Sequence, residues 1–333
     1  MRTIGIDVSK EHLDLALLDQ QEGLLEEAHV ENKAGTLTKL MRTWLKTGRC
    51  TADVLICLEP TGSYSFGAIK TLLALGLKVW LAHPMDIKQS IGMKRGKTDR
   101  VDARRIAEYA LRFKDKAMLL DERFVRLQEL KDLLAIRQQF IEERAKYRLQ
   151  RGDRMKAMEG SARACFARCS ERMVTELDRS LKRVEKSIEA FLNADPQLRA
   201  KRELAMTVTG VGPLLSSVLL VVTQGFTRFN NPRQLLAYAG LAPYPFSSGS
   251  SIRGRTGVSE KANKRLKSLL HMAALNAIRT PGDLQDYYQR KRAEGKAAMS
   301  VLNAVRAKIV HHLWAVMGSG RPYTPFKTNL QMP

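Results

Sequence analysis

Asp99 and Asp102 stand three residues apart in the run Lys97-Thr98-Asp99-Arg100-Val101-Asp102-Ala103-Arg104. That spacing puts both carboxylates on one face of a helical turn. Lys94, Arg95, Lys97 and Arg100 crowd the approach. Two readings fit: surface acids paired with Arg104 and Arg105, or carboxylates that hold Mg²⁺ (or Mn²⁺) where flanking cations draw in a phosphate backbone. Two further acids, Asp7 and Glu59, each close an apolar, strand-like run, Thr3-Ile4-Gly5-Ile6 and Val54-Leu55-Ile56-Cys57-Leu58. Side chains at strand ends commonly emerge at the working edge of a sheet, although either acid alone is equally a turn or N-cap residue. If the two strands are neighbours, Asp7 and Glu59 meet, and the helix bearing Asp99 and Asp102 can cap the same spot. Four converging acids repel one another, and divalent cations remove that conflict.

A second constellation lies far along the chain. Ser247-Ser248-Gly249-Ser250-Ser251-Ile252 is small, polar and glycine-interrupted, with Arg253 and Arg255 close behind. On composition this is a flexible surface loop. As chemistry it offers a serine hydroxyl as a nucleophile toward phosphorus, with arginines to balance the developing charge. No His or Lys general base is assignable nearby, because His271 falls in a later helical pattern and reads as core or capping. Metal ions held by the acids would supply the missing activation.

These groups sit in a chain of 333 residues with 56 Lys and Arg against 34 Asp and Glu, a formal charge of +22. Such a balance points to a polyanionic partner. No apolar run is long enough to span a bilayer, and Met1-Arg2 leads straight into a strand-like run, so neither a membrane span nor a leader is expected. Nucleic acid is then the leading polyanion. Cys50, Cys57, Cys165 and Cys169 show no CxxC pairing and read as buried thiols in a reducing cytoplasm.

The elements that must position the acids follow from periodicity. Three strand-like runs before Asn32 suggest an antiparallel meander. Leu37, Leu40, Met41, Trp44 and Leu45 repeat at helical spacing, Val54 to Leu58 reads as a strand buried on both faces, and Leu77 to Ala82 as a further strand. The predicted order is β-β-β-α-β-α-β-α, an α/β domain with a mixed sheet over residues 1–122. Residues 123–198 read as a helical arm, with a loosely patterned break around Gly152 and Gly160 and a heptad seam at Leu177, Leu181, Val184, Ile188 and Phe191. A coiled coil used for dimerisation and an intramolecular hairpin both fit that seam. Residues 199–333 read as mainly α. Val208-Thr209-Gly210-Val211-Gly212-Pro213 resembles the hairpin of a helix-hairpin-helix element, in which Gly210 and Gly212 let backbone N–H groups approach a DNA phosphate. Lys261, Lys264, Arg265 and Lys267 read as a phosphate-contacting helix face, or as a merely solvated basic one.

Gly5-Ile6-Asp7, Glu59-Pro60-Thr61-Gly62, Lys97-Thr98-Asp99-Arg100-Val101-Asp102-Ala103, Gly240-Leu241-Ala242-Pro243 and Ser248-Gly249-Ser250-Ser251-Ile252-Arg253-Gly254 together resemble the DEDD transposases of bacterial insertion sequences. This family includes the Piv invertase and bridge-RNA-guided recombinases. The resemblance implies a RuvC-like, ribonuclease-H-type first domain, with Asp7, Glu59, Asp99 and Asp102 as the Mg²⁺-binding tetrad. It also implies a nucleophilic serine that falls on Ser248, with Ser247 and Ser250 as neighbouring alternatives. Further implications are a phosphoserine link to donor and target double-stranded DNA, a structured noncoding guide RNA, homodimers assembling to tetramers, and a cytoplasmic, nucleoid-associated bacterial setting. Three other readings compete: a metal-dependent Holliday-junction nuclease using water, a catalytically dead nucleic-acid-binding protein, and an ATPase of the actin and sugar-kinase class. The last rests on Ile4-Gly5-Ile6-Asp7-Val8-Ser9, which resembles that class's first phosphate loop, but no second glycine-rich phosphate turn accompanies it.

Overall fold

The computed structural model describes residues 1–91, 99–242, 247–248, 252–253 and 262–325. The chain divides into two compact units, Met1–Val125 and Arg126–Pro333.

The first unit begins with β1 (Arg2–Val8), β2 (His12–Asp19) and β3 (Gly23–Glu31), the expected antiparallel meander. Then come α1 (Ala34–Lys46), β4 (Leu55–Leu58), α2 (Tyr64–Ala74), β5 (Lys78–Leu81), α3 (Pro84–Ile91) and α4 (Asp99–Arg112). The sheet order is β3-β2-β1-β4-β5, with β4 parallel to both β1 and β5. The sheet is mixed, with the antiparallel meander on one side and the parallel strands on the other. Helix α3 is an addition to the predicted order; its sequence signals are Pro84 at the first helical position and Asp86 in the first turn.

The period-2 alternation of β1 sorts its side chains between two layers. Ile4, Ile6 and Val8 join Leu37, Met41, Trp44, Ile69 and Leu72 in the core under α1 and α2. Thr3, Gly5 and Asp7 point the other way, toward α4. Ala103 and Ala107 of α4 pack there on Ala16 and Leu18, while Ile106, Tyr109 and Ala110 pack on Leu55, Cys57 and Trp80. The helix comes down hardest at Gly5. A Cβ built there would lie 2.1 Å from the Ala103 carbonyl oxygen and 2.3 Å from the Ala107 amide nitrogen. Beside it, Thr3 Oγ1 donates to the Ala107 carbonyl at 3.1 Å.

The remainder is helical. Helix α5 (Glu122–Lys156) leads out of the first unit, followed by α6 (Gly160–Ala194), α7 (Pro196–Met206), α8 (Pro213–Val222), α9 (Pro232–Tyr238), α10 (Lys264–Ala277), α11 (Asp283–Ala293) and α12 (Ala298–Ser319). Two short strands, β6 (Ser247–Ser248) and β7 (Ile252–Arg253), pair antiparallel before α10. One core joins Leu130 and Leu134 of α5 to Ile188 and Leu192 of α6 and to the apolar faces of α8, α10 and α12. The expected break around Gly152 and Gly160 falls at residues 157–159, with α5 continuing through Gly152 before the chain turns. Helices α5 and α6 form an antiparallel hairpin clipped by Arg137–Glu185 at 2.8 Å and Arg144–Asp178 at 2.6 Å. The heptad seam is largely spent inside this chain, with Leu181 and Ile188 buried. The thiol expectation needs correcting for one pair: Cys50 and Cys57 are buried, but Cys165 and Cys169 are exposed on α6, a two-helix hairpin too thin to cover its outer face. Among the described residues no helix is long and apolar enough to cross a membrane.

The contact at Gly5 generates a direct test. Gly5→Ala forces backbone against backbone, so it is expected to destabilise the protein by about 1–3 kcal/mol or more and lower Tm by several degrees in thermal unfolding. Gly67→Ala, in α2 where a Cβ meets nothing within 4 Å, leaves Tm unchanged or slightly higher.

Candidate active site

The alternation that turns Gly5 toward α4 turns Asp7 the same way, one pleat nearer the N-terminus of that helix. Ile6 pairs with Leu58 in the parallel ladder, so the next residues along, Asp7 and Glu59, are neighbours at the carboxyl edge of β1 and β4. Asp99 and Asp102 occupy the first turn of α4 above them. Asp7 is half-buried, and its carboxyl is pushed up from 3.8 to about 6, first by burial and then by the charges of Asp102, Asp99 and Glu59. The backbone N–H of Val8 opposes the shift. The four acids therefore share one electrostatic neighbourhood, as the strand-neighbour argument required.

The surroundings divide the two readings of the paired acids. Arg105 Nη1 does bond Asp102 Oδ1 at 2.9 Å, whereas Arg104 turns away to Glu27, with Nη2 to Oε2 at 2.6 Å. Among the described residues no three His, Cys, Asp or Glu side chains close on one point tightly enough to hold an ion. The donor chemistry still suits a hard divalent cation, because all four groups are carboxylates. Thr61 Oγ1, two residues past Glu59, is a buried hydroxyl without a hydrogen-bond partner among the described residues, a group that an occupant of this edge would satisfy.

Sequence reasoning missed one acid here. Asp14 is the register partner of Asp7 across β1 and β2, on the same face and only 4 % exposed. Its Oδ1 lies 2.9 Å from His29 Nδ1, its own register partner on β3, and the His29 ring stacks on His12 with centroids 4.6 Å apart. The signal was a polar residue at a period-2 position between His12 and Ala16.

The serine run is placed by backbone alone: Ser248 pairs with Ile252 and Ser247 with Arg253. Ser250, Arg255 and Lys261 lie outside the described residues, as do Lys94, Arg95 and Lys97. Lys264 is exposed at the start of α10. Arg265 is not on that outer face: it is half-buried and donates through Nη2 to the Leu134 carbonyl at 3.1 Å, because its position points back at α5. Gly210 is likewise explained by packing. Its φ is +90°, and a Cβ would meet the Ala273 carbonyl oxygen at 2.3 Å, whereas Gly212 has open space around it.

Comparison with known proteins agrees with this layout. A DEDD transposase model of the IS110 type matches residues 4–151, and the model described as transposase IS116/IS110/IS902 family matches residues 202–289. The chain belongs to this family of insertion-sequence transposases. It is 25% identical to the pilin gene-inverting protein of Moraxella lacunata over 96% of this chain and 97% of that one. It is 22% identical to the transposase for insertion sequence element IS1111A of Coxiella burnetii, over 97% and 91%. An IS116 insertion-element protein of Streptomyces clavuligerus is 30% identical over 45% of this chain, and the match spans 36% of that relative's length. The solved T. thermophilus RuvC in complex with a Holliday junction substrate aligns at a TM-score of 0.30 and 19% identity, covering 36% of this chain and 99% of that one.

The raised Asp7 carboxyl carries a stability consequence with a definite sign. Its folded-state value lies above the ordinary one, so the folded chain binds the proton more readily than the unfolded chain. Stability is therefore lost as pH rises from about 4 to about 6, and the deficit persists above that range. Asp7→Asn removes the deficit. In chelator at pH 7 the variant is expected to be more stable than the parent by about 1–2 kcal/mol, discounted for solvent screening. Paired melting curves across pH 3–8 check this: the advantage closes below about pH 4.

Proposed function

We propose that this transposase cuts and rejoins double-stranded DNA through a phosphoserine intermediate, with Ser248 as nucleophile and Asp7, Glu59, Asp99 and Asp102 as the metal-holding set. The observation that carries the reading is the charge converging on Asp7 from three other acids on two other segments. A protein gathers like charges at a partly buried edge at a cost in stability, and a phosphoryl-transfer site is where that arrangement has a use.

In this reading the Ser248 oxygen bonds to phosphorus and loses its proton, while the bond from phosphorus to the sugar oxygen breaks and that oxygen leaves protonated. The strand end stays attached as a serine phosphodiester, and attack by another strand's hydroxyl reverses the step and rejoins DNA. A divalent cation, Mg²⁺ in the cell, supplies nucleophile activation and charge neutralisation when bound. Asp7 and Glu59 hold from the sheet edge, Asp99 and Asp102 from the helix turn. Arg253, one residue past the register partner of Ser248 in the short hairpin, belongs to the serine's side of the site. The acids and the serine lie in different compact units, so we propose a composite site assembled from dimers and tetramers. The net charge of +22 supports DNA together with a structured guide RNA as partners.

The test is a trapped covalent adduct. Incubation with recombination-competent DNA and Mg²⁺, followed by denaturing electrophoresis, should show a protein–DNA band that Ser248→Ala abolishes while DNA affinity holds within about threefold. Asp7→Asn should reduce adduct formation by at least about a hundredfold. Free 5′-phosphates with no adduct would mean that water is the nucleophile, and an undiminished adduct in Ser248→Ala moves the role to another residue.

A further inference from the structure

A feature of the second unit lies outside the acid site and the serine hairpin. A cavity of about 490 Å³ opens between α7, the turn after α8 and the C-terminal end of α12. Its walls include Phe226, Trp314, Met317 and Lys201. That volume is within the range of small-ligand pockets and ample for one nucleobase.

The turn that supplies Phe226 is built against local preference. Gln224, Gly225 and Phe226 have φ of 50°, 67° and 66°, three successive left-handed residues, of which only the glycine adopts that conformation without cost. For a bulky aromatic residue this is an outlier, held by Phe226 N–H donating to Thr223 Oγ1 at 2.8 Å and Lys201 Nζ donating to the Gly225 carbonyl at 2.7 Å. The conformation fixes an aromatic ring in one cavity wall, with the Trp314 ring in another and an ammonium beside the turn. Trp314 is half-buried, whereas the protein's other two tryptophans, Trp44 and Trp80, are 1 % and 5 % exposed in the first unit.

Flat aromatic faces, a polarisable thioether and a fixed positive charge are what an unpaired base and its phosphate require. Stacking is tolerant of base identity, and the cation tracks the backbone. An apolar peptide side chain would use the rings equally well but would gain nothing from the ammonium, nor from the strong positive charge of the chain. We propose that this cavity is a binding site for an unpaired nucleobase of a nucleic-acid strand, with Phe226 and Trp314 as the stacking walls and Lys201 on the phosphate side. The site goes beyond the recombination chemistry and does not depend on it, because binding here needs neither metal nor cleavage.

Tryptophan-selective emission of the full-length protein reads the cavity directly, since Trp314 is the tryptophan that a base can reach. The titrant is a short oligothymidine of about eight nucleotides, within the site sizes of single-strand binders, added in chelator at salt high enough to suppress bare phosphate contacts. Emission is expected to be quenched saturably, while an abasic sugar-phosphate of equal length leaves it unchanged. Oligouridine in a parallel arm decides whether the strand is DNA or RNA, and saturable quenching by either supports the site. Phe226→Leu and Trp314→Leu keep apolar bulk but lose the flat ring. Each should weaken binding of a labelled oligothymidine about tenfold by anisotropy, with Gly67→Ala unaffected. Should either leucine variant fail to fold, the contrast between base-bearing and abasic strands in the parent protein decides. No emission change with either oligonucleotide, an equal response to the abasic strand, or unchanged affinity in folded leucine variants would overturn the proposal.

Discussion

The close approach of α4 to β1 is the constraint on which the site depends. Two acids of the tetrad come from the sheet and two from a helix some ninety residues later, so their meeting is decided by where that helix lands. Gly5 lets it land with the Ala103 and Ala107 backbone almost on the strand, and the Thr3 hydroxyl fixes the position along the strand. A helix set back by one methyl group would still be apolar underneath, but its first turn would lift from Asp7. Small residues on both surfaces, Gly5 and Ala16 below with Ala103, Ala107 and Ala110 above, make a dry contact whose geometry is set by backbone rather than by adaptable side chains.

That geometry brings like charges together, and the unit distributes the resulting conflict unevenly. The outer acids have cations of their own: Asp102 has Arg105, and Glu27 has Arg104. Asp14, opposite Asp7, has its carboxylate turned along the sheet to His29. The burden falls on Asp7, whose shift the Val8 backbone N–H opposes and which takes up a proton well above the usual carboxylate range. The cost of assembling the acids and the affinity for a cation are two sides of one electrostatic term.

Much of this was readable before any coordinates. Asp7 and Glu59 each follow an apolar run, so their meeting was expected if the two strands were neighbours, a condition that the parallel pairing of β1 with β4 meets. The three-residue spacing of Asp99 and Asp102 placed both in one helical turn. Asp14 was not legible in the same way: its importance comes from register with Asp7 on one side and His29 on the other, a property of pairing that no local pattern carries. The heptad seam of α6 shows the converse. Its spacing is genuine, but period alone does not name the partner, and here α5 of the same chain covers much of it. Gly210 illustrates a third limit. A glycine in an interhelical turn suggests room for a phosphate, yet its need for no side chain is met by Ala273.

Charge counting meets the same difficulty, and the structure shows why. A surplus of +22 says that the molecule attracts polyanions but not which cations meet them. Arg265, a natural candidate in a basic helix, binds a carbonyl of α5 and is half-buried, so its guanidinium is shielded from an incoming phosphate. Arg202 pairs with Glu189, with Nη1 to Oε2 at 2.6 Å, and Arg104 pairs with Glu27. Lys264, one residue from Arg265, is exposed. Adjacent cations on one helix therefore serve different ends, and the division follows the 100° step between them: one position faces the α5 backbone and the next faces solvent. Long-range attraction is a property of the whole chain, whereas recognition belongs to the subset of cations that packing leaves at the surface.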